Sequence, residues 1–192
     1  ASAALRALRD PRIVLLNGGL SPTGHMAVTG GLSPTDFIDQ MATVPGALDA
    51  FDVWASHPYP GNRPPEQNLH DGTAPDYPFL AIDSYVLELD RLAAKGRTGL
   101  RVLLTETGYR LGANDLLGPL GLPAMSDANR ADYIARAFRD YWSRWPEVIG
   151  ACPFFLLDPA NPTPWGDWVW MDGENAPRQQ YHAVQTLDKS PS

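Results

Sequence analysis

One carboxylate in this sequence lies at a position where catalytic residues are common. Glu106 follows a short apolar run, Val102 to Leu104, and lies between two threonines, with Gly108 after them. Such a run is typical of a buried strand, and α/β barrels hold their active sites at the carboxyl ends of their strands. A carboxylate there can transfer protons or attack an electrophilic carbon. The alternative is a structural acid that caps the next helix or pairs with Arg110.

Other polar and aromatic side chains also follow predicted strands. One strand is followed by His57-Pro-Tyr59, and an earlier strand, Ile13–Leu16, is followed by Asn17 and two glycines. His57 could bond a hydroxyl group or Glu106, and Tyr59 could donate a hydrogen bond that orients a carboxylate. Alternatively, both pack as structural residues. Asn17 could bond a ligand or a neighbouring strand end, although Asn-Gly-Gly favours a simple turn.

Strands and helices alternate along the chain. Apolar segments predict four strands: Ile13–Leu16, Phe51–Ala55, Leu100–Leu104 and Val148–Leu157. Helical spacing predicts the helices Thr35–Thr43, Ile82–Leu92, one that is capped by Ser126 and runs to Trp142, and Gln179–Leu187. This alternation is typical of an α/β fold with a parallel sheet and right-handed crossovers. We predict a single unit over residues 1–192, with the polar residues that follow the strands on one rim.

Composition narrows the function classes. The chain has 192 residues, of which 44% are hydrophobic and 19% charged, so it is a globular domain. A net charge of −7 argues against a nucleic-acid or membrane partner. We also expect no metal and no cofactor, because the sequence lacks metal-ligand spacing, a phosphate loop and a nucleophile elbow. Cys152, the lone cysteine, lies in an apolar run and is predicted to be a small packed side chain.

Together, these segments resemble the carboxyl half of a retaining glycoside hydrolase from the large (β/α)8-barrel clan of β-xylosidases, cellulases and mannanases. Val53 to Tyr59 resembles the sixth strand, whose His-x-Tyr ending lines the sugar site. Leu103 to Tyr109 resembles the seventh strand, which carries the nucleophile. The resemblance implies half of a TIM barrel, strands five to eight with their helices. It also implies that Glu106 is the nucleophile in the hydrolysis of β-linked saccharides.

The resemblance further implies which residues contact the sugar. The clan usually places a tryptophan at the end of the eighth strand, under the sugar, but the segment from Cys152 to Asp158 contains none. A phenylalanine or a tryptophan of the following loop, which also contains Trp170, would take that place. Indole and phenyl faces suit stacking on flat apolar ligand surfaces. The predicted substrate contacts are His57, Tyr59, Asn17, Phe155, Trp165 and Trp168. Arg110 is predicted to be a surface charge.

A retaining mechanism needs a second carboxyl group. In the clan, this acid/base glutamate ends the fourth strand, which would precede Ala1. Four parallel strands would also leave two unpaired edges. We therefore expect this chain to dock against another half, which is either the amino-terminal half-barrel of the same parent protein or a second copy. The start in mid-barrel favours the first, and the bound partner would be an oligosaccharide or a glycoside.

Two other interpretations stay open. A non-catalytic carbohydrate-binding or scaffold protein with a degenerate barrel would keep the aromatic rim, and the missing acid/base residue is its chief support. An open, flavodoxin-like α/β domain would have no sugar site. The long loops after the predicted strands and their tryptophans argue against this last interpretation.

Overall fold

The computed structural model describes residues 1–23, 30–112, 122–158 and 165–188. The helices are α1 (Ser2–Arg6), α2 (Pro34–Ala42), α3 (Tyr85–Ala94), α4 (Asp127–Arg136), which continues into a π-helical segment (Ala137–Trp142), and α5 (Gln179–Gln185). The strands are β1 (Trp54–Ser56), β2 (Val102–Thr107) and β3 (Val148–Pro153). Short 3-10 turns cover Pro78–Leu80 and Gly166–Trp168. None of the described helices is long and apolar enough to cross a membrane.

The strands form a parallel sheet in the order β1-β2-β3. Each crossover carries a helix, as the alternating pattern predicts. The register between β2 and β3 is irregular near its end: Leu104 pairs with Ala151, and Thr107 pairs with Pro153. Between these two pairs, β2 therefore contains one more residue than β3, which is a β-bulge in the segment that contains Glu106.

The first predicted strand, Ile13–Leu16, is not formed as a regular strand among the described residues. Leu16 makes a single parallel bridge to Val53, and the backbone of Leu15 accepts hydrogen bonds from Asp52 N at 2.7 Å and Val53 N at 3.2 Å. The Asp52 carboxylate takes the Leu15 N–H at 2.9 Å. The segment therefore lies beside β1 in the expected direction, but side-chain bonding replaces part of the ladder.

Two other strands differ from prediction at their ends. β2 extends beyond Leu104 to Thr107, so Glu106 lies within the strand and not after it. β3 ends at Pro153, although the apolar run continues to Leu157. Phe155 explains the early end, because its φ of +71° is incompatible with a continuing strand.

Two helices, α2 and α4, begin at a serine that caps their first turn. Ser126 accepts the backbone N–H of Asn129 at 3.1 Å, which confirms the predicted cap of α4. Ser33 caps α2 in the same way through Asp36 N at 3.1 Å. The predicted helix from Ile82 starts only at Tyr85, whereas Ile82 itself is fully buried before the helix begins.

The core lies between the sheet and the helices, and the buried carboxyl of Glu88 packs against it. Trp54, Tyr85 and Leu104 are fully buried there. Glu88 of α3 is only 2% exposed, and it accepts a hydrogen bond from the indole Nε1 of Trp54 at 2.6 Å. Burial raises the pKa of Glu88 to about 7, although the bond from Trp54 opposes that rise.

Both edges of the sheet expose apolar side chains. On the edge beside β1, Val14 is 55% exposed and Leu16 is 38% exposed. On the other edge, Ile149 of β3 is 45% exposed, and Leu156 beyond it is 62% exposed. Cys152 is also exposed, so the prediction of a packed thiol is wrong. The apolar run that suggested burial belongs to an edge strand, which packs on fewer sides than a central one.

We predict that Glu88→Gln removes a pH dependence of folding stability. The pKa of Glu88 is raised above its ordinary value of 4.5, so its stabilising contribution is complete below that value and is lost as pH rises through about 7. The loss amounts to roughly 3 kcal/mol at most. The glutamine still accepts the Trp54 bond. The free energy of unfolding, measured with urea, should therefore exceed that of the wild type by more at about pH 8 than at about pH 5.

Asp90→Asn is the matched control, because Asp90 is an exposed acid on the same helix. Its free energy of unfolding should follow that of the wild type at both pH values. An equal effect of Glu88→Gln at the two pH values would show that the buried carboxyl does not titrate in this window.

Candidate active site

Glu106 presents its carboxylate at the bulge of β2. Its side chain is 38% exposed, and Oε2 accepts a hydrogen bond from the hydroxyl of Tyr59 at 3.0 Å. Nδ1 of His57 lies 3.5 Å from the same oxygen. The three residues that the sequence placed on one rim are therefore in contact. Both neighbours approach Oε2, so Oε1 takes part in neither contact.

His57 and Tyr59 are held in place by bonds around the end of β1. Thr107 Oγ1 donates to the carbonyl of Pro58 at 2.7 Å, which ties the loop after β1 to the end of β2. On the opposite side, Gly19 lies directly against the His57 ring: a Cβ there would meet Cε1 at 2.8 Å and overlap Nε2 and Cδ2 more closely. The Asn-Gly-Gly pattern predicted a turn, but it did not reveal that one glycine makes room for the imidazole.

The two neighbours of Glu106 are uncharged near neutral pH. Burial lowers the pKa of His57, and the nearby Glu106 charge opposes this shift without reversing it. Burial also raises the pKa of Tyr59, and the charge of Glu106 and its hydrogen bond raise it further. Tyr59 therefore remains a phenol that donates a hydrogen bond to the carboxylate, and His57 is a neutral imidazole.

Asn17 bonds the neighbouring strand, which is one of its two predicted roles. Its Oδ1 accepts the N–H of Ala55 at 2.6 Å, and its Nδ2 donates to the carbonyl of Ala55 at 3.0 Å. The side chain thereby replaces a strand pairing between the 13–16 segment and β1. A sugar contact by Asn17 stays a prediction, and it would have to share an amide that already bonds the backbone.

Aromatic side chains continue the site away from Glu106. The Trp168 ring meets the Tyr59 ring edge to face, with centroids 5.1 Å apart, and Phe154 lies 6.3 Å from Tyr59. Phe155 stacks on Phe154 at 5.0 Å, and Trp165 meets Phe154 at 5.7 Å.

Among the predicted sugar-binding aromatics, Trp168 is joined to the carboxylate through Tyr59. Trp165 is the more open of the two tryptophans, at 48% exposed. Trp170 is 8% exposed and belongs to the core. The positive φ of Phe155 is a strained conformation of the kind that clusters at functional sites.

Arg110 is not the surface charge that the sequence predicted. Its side chain is 15% exposed, and NH2 donates to Asp167 Oδ2 at 2.8 Å. Its backbone N–H donates to Asn62 Oδ1 at 3.0 Å. An arginine in a loop carries no sequence signal for such a contact, because its partner lies far away along the chain. Within the described residues, no group of His, Cys, Asp and Glu side chains could hold a metal ion.

No protein-family model and no curated protein matches this sequence. Solved structures do match its fold. A family 39 glycoside hydrolase from the gut symbiont Bacteroides cellulosilyticus aligns with a TM-score of 0.55 and 20% identity, over 92% of this chain and 33% of that one. Native xylanase 10B from Thermotoga maritima aligns with a TM-score of 0.50 and 17% identity, over 96% of this chain and 50% of that one.

These similarities concern the fold, and they confirm the predicted fold class. The chain is an α/β protein with a parallel sheet that matches part of the barrel of glycoside hydrolases. It spans about a third to a half of the length of the two structures it matches.

Proposed function

We propose that this chain is a catalytic part of a retaining glycoside hydrolase that acts on β-linked saccharides, with Glu106 as the nucleophile. The observation that supports this most directly is the bond from the Tyr59 phenol to a partly exposed carboxylate, 3.0 Å long, at the carboxyl end of a parallel strand. Barrel enzymes place their catalytic residues at this end of their strands. The likeness of the fold to parts of two glycoside hydrolases agrees with this reaction class.

The geometry around Glu106 suits attack on an anomeric carbon. The phenol of Tyr59 and the imidazole of His57 both approach Oε2, so Oε1 is the oxygen that would form the glycosyl ester. In the first step, the bond to the leaving oxygen breaks and an acid/base carboxyl group protonates that oxygen. In the second step, the same group activates water, which releases the sugar and Glu106.

A neutral His57 is consistent with this role. A protonated imidazole beside Oε2 would form an ion pair with the carboxylate and make it a weaker nucleophile. Because burial lowers the pKa of His57, the ring can donate one hydrogen bond and accept another without that charge. Sugar hydroxyl groups can serve as partners for either ring nitrogen.

The aromatic residues beyond Tyr59 are proposed as the floor and wall of the sugar site. Phe154 and Phe155 follow β3, at the place where the clan usually has a tryptophan, and Trp165 is partly exposed beside them. Apolar faces of pyranose rings stack on such side chains. The sugar itself and the linkage are not specified by these contacts.

The acid/base residue is proposed to come from a second half-barrel, which is the amino-terminal half of the same parent protein. Two observations support a missing half. Apolar side chains are exposed at both edges of the sheet, Val14 and Leu16 on one side and Ile149 and Leu156 on the other. The matched glycoside hydrolases are also two to three times as long as the aligned part. Closure by that half would pair both edges.

We predict that Glu106→Gln lowers the turnover of an aryl β-glycoside by at least about a thousand-fold, because the amide cannot form the glycosyl ester. The assay uses this chain together with the complementary half. A 2-fluoro glycoside with a good leaving group should trap the intermediate. Mass spectrometry of the digested wild-type protein should then find the sugar on the peptide that contains Glu106.

Glu174→Gln is the matched control, because Glu174 is an exposed acid in a turn. It should retain wild-type turnover. Full activity of Glu106→Gln, or a label on another residue, would exclude Glu106 as the nucleophile. Sugar-dependent quenching of tryptophan fluorescence without turnover or label would identify the binding module instead, and activity in a purified homodimer would identify a second copy as the partner.

We further predict that Gly19→Ala displaces His57, because the new methyl group would overlap the imidazole ring. The displaced ring is more solvated, so the pKa of His57 should rise toward its ordinary value of 6.5. A histidine NMR titration measures this shift without any substrate. With a substrate, kcat/KM should fall by about tenfold or more.

Gly18→Ala provides the control at the adjacent position. A Cβ at Gly18 meets nothing within 4 Å, so this variant should leave both the titration and the kinetics unchanged. If Gly19→Ala left the titration of His57 unchanged, the close approach of these two residues would be refuted.

A further inference from the structure

The turn that carries Trp168 is held by side chains that do not contact the catalytic carboxylate. The carbonyl of Asp167 accepts two hydrogen bonds, one from NH1 of Arg130 at 3.0 Å and one from the backbone N–H of Leu111 at 2.9 Å. The carbonyl of Val169 accepts a bond from Nε2 of Gln180, also at 3.0 Å. The backbone is thus fixed on both sides of Trp168.

Arg130 and Gln180 are unusual donors for a surface turn, because both are buried. Arg130 of α4 is 0% exposed, and Gln180 of α5 is 2% exposed. The two helices pack against each other, so they deliver these side chains from one rigid unit. The NH2 of Arg130 also bonds Asp127 Oδ1 at 2.6 Å, which pairs the charge.

Stability alone is a weak reason for such an arginine. Removing a guanidinium from water is costly, and burial accordingly lowers the pKa of Arg130, whereas Asp127 opposes this shift. Buried ion pairs can often be replaced by apolar side chains without loss of stability. What an apolar residue could not supply is a directed donor to the carbonyl of Asp167.

Two successive contacts connect the turn to the carboxylate of Glu106. The Trp168 ring packs edge to face on Tyr59 at 5.1 Å, and the Tyr59 hydroxyl donates to Glu106 at 3.0 Å. Gly108 lies beside this indole at the end of β2, where its φ of +146° favours glycine.

We propose that Arg130 and Gln180 are positioning residues: they fix the backbone around Trp168, and Trp168 in turn holds the Tyr59 phenol on Glu106. The catalytic consequence rests on the function proposed above, whereas the structural consequence does not. The two parts can therefore be tested separately.

The structural part is tested by fluorine NMR on the full chain that carries 3-fluorotyrosine. Tyr59→Phe assigns the resonance, and Trp168→Leu gives its position when the indole is absent. Arg130→Met and Gln180→Met keep the volume of each side chain but remove the donor, so each should move the Tyr59 resonance toward its position in Trp168→Leu. Circular dichroism verifies that each variant is folded.

Arg136→Met is the matched control, because it removes another arginine of α4. The Arg136 guanidinium lies over the Tyr133 ring at 5.2 Å, so this variant should shift the Tyr133 resonance and leave that of Tyr59 in place. If Trp168→Leu left the Tyr59 resonance unchanged, the proposal would be overturned as a whole. A folded Arg130→Met or Gln180→Met with an unshifted Tyr59 resonance would overturn it for that residue.

If Arg130→Met fails to fold, Gln180→Met decides the proposal, because it removes a neutral group and leaves no charge unpaired. The catalytic part is measured as turnover: kcat should fall about tenfold while KM stays within about twofold, since the sugar contacts proposed for Phe154, Phe155 and Trp165 are kept. A shifted Tyr59 resonance with unchanged kcat would overturn the catalytic part. A shifted resonance in a protein whose wild type shows no turnover would contradict the proposed function and leave the positioning role supported.

Discussion

The hydrogen bond between Tyr59 and Glu106 joins the ends of two parallel strands, and the rest of the candidate site is arranged around it. A carboxylate at the end of a strand can rotate, and only its neighbours select one orientation. The Pro58 carbonyl is tied to Thr107 on one side of this bond, and Trp168 packs on the phenol on the other. The bulge in β2 adds the extra residue that brings the carboxylate to the rim. Each of these features lies on a different segment, so the site exists only once the sheet has formed.

A sheet of this kind cannot satisfy its own edges. Among the described residues, the central strand, β2, is paired on both sides, whereas β3 and the segment beside β1 are each paired on one side only and expose apolar side chains. Parallel sheets are normally covered on both faces and closed or capped at both edges, because unpaired backbone and exposed apolar surface favour association. The second half proposed above would complete the sheet and the proposed mechanism together, because it would supply both strands and a carboxyl group.

The sequence predicted the fold better than it predicted the details of the site. Periodicity located β1, β2 and most helices, because these patterns report burial against the sheet. The end of β3 was missed because the positive φ of Phe155 interrupts a run that is still apolar. Glu106, His57 and Tyr59 were predicted together because each lies at or just after the end of a strand, and strand ends of a parallel sheet meet at one rim. Gly19, Arg130 and Gln180 were missed because their roles depend on partners that are distant in sequence, and composition carries no signal for them.

Glu88 and Glu106 show that a shifted pKa alone does not identify a catalytic carboxylate, and that its position and accessibility are the stronger criteria. A strongly shifted pKa in a cleft is a useful sign of a functional site. Among the described residues, Glu88 is the carboxyl whose pKa is raised, but it lies in the core against Trp54, where a ligand cannot reach it. The pKa of Glu88 is raised because burial disfavours its charged form. Glu106 is instead distinguished by its exposure, its strand end and its two directed neighbours. A carboxylate that must attack an electrophile needs an accessible oxygen and a fixed orientation, and only Glu106 of these two has both.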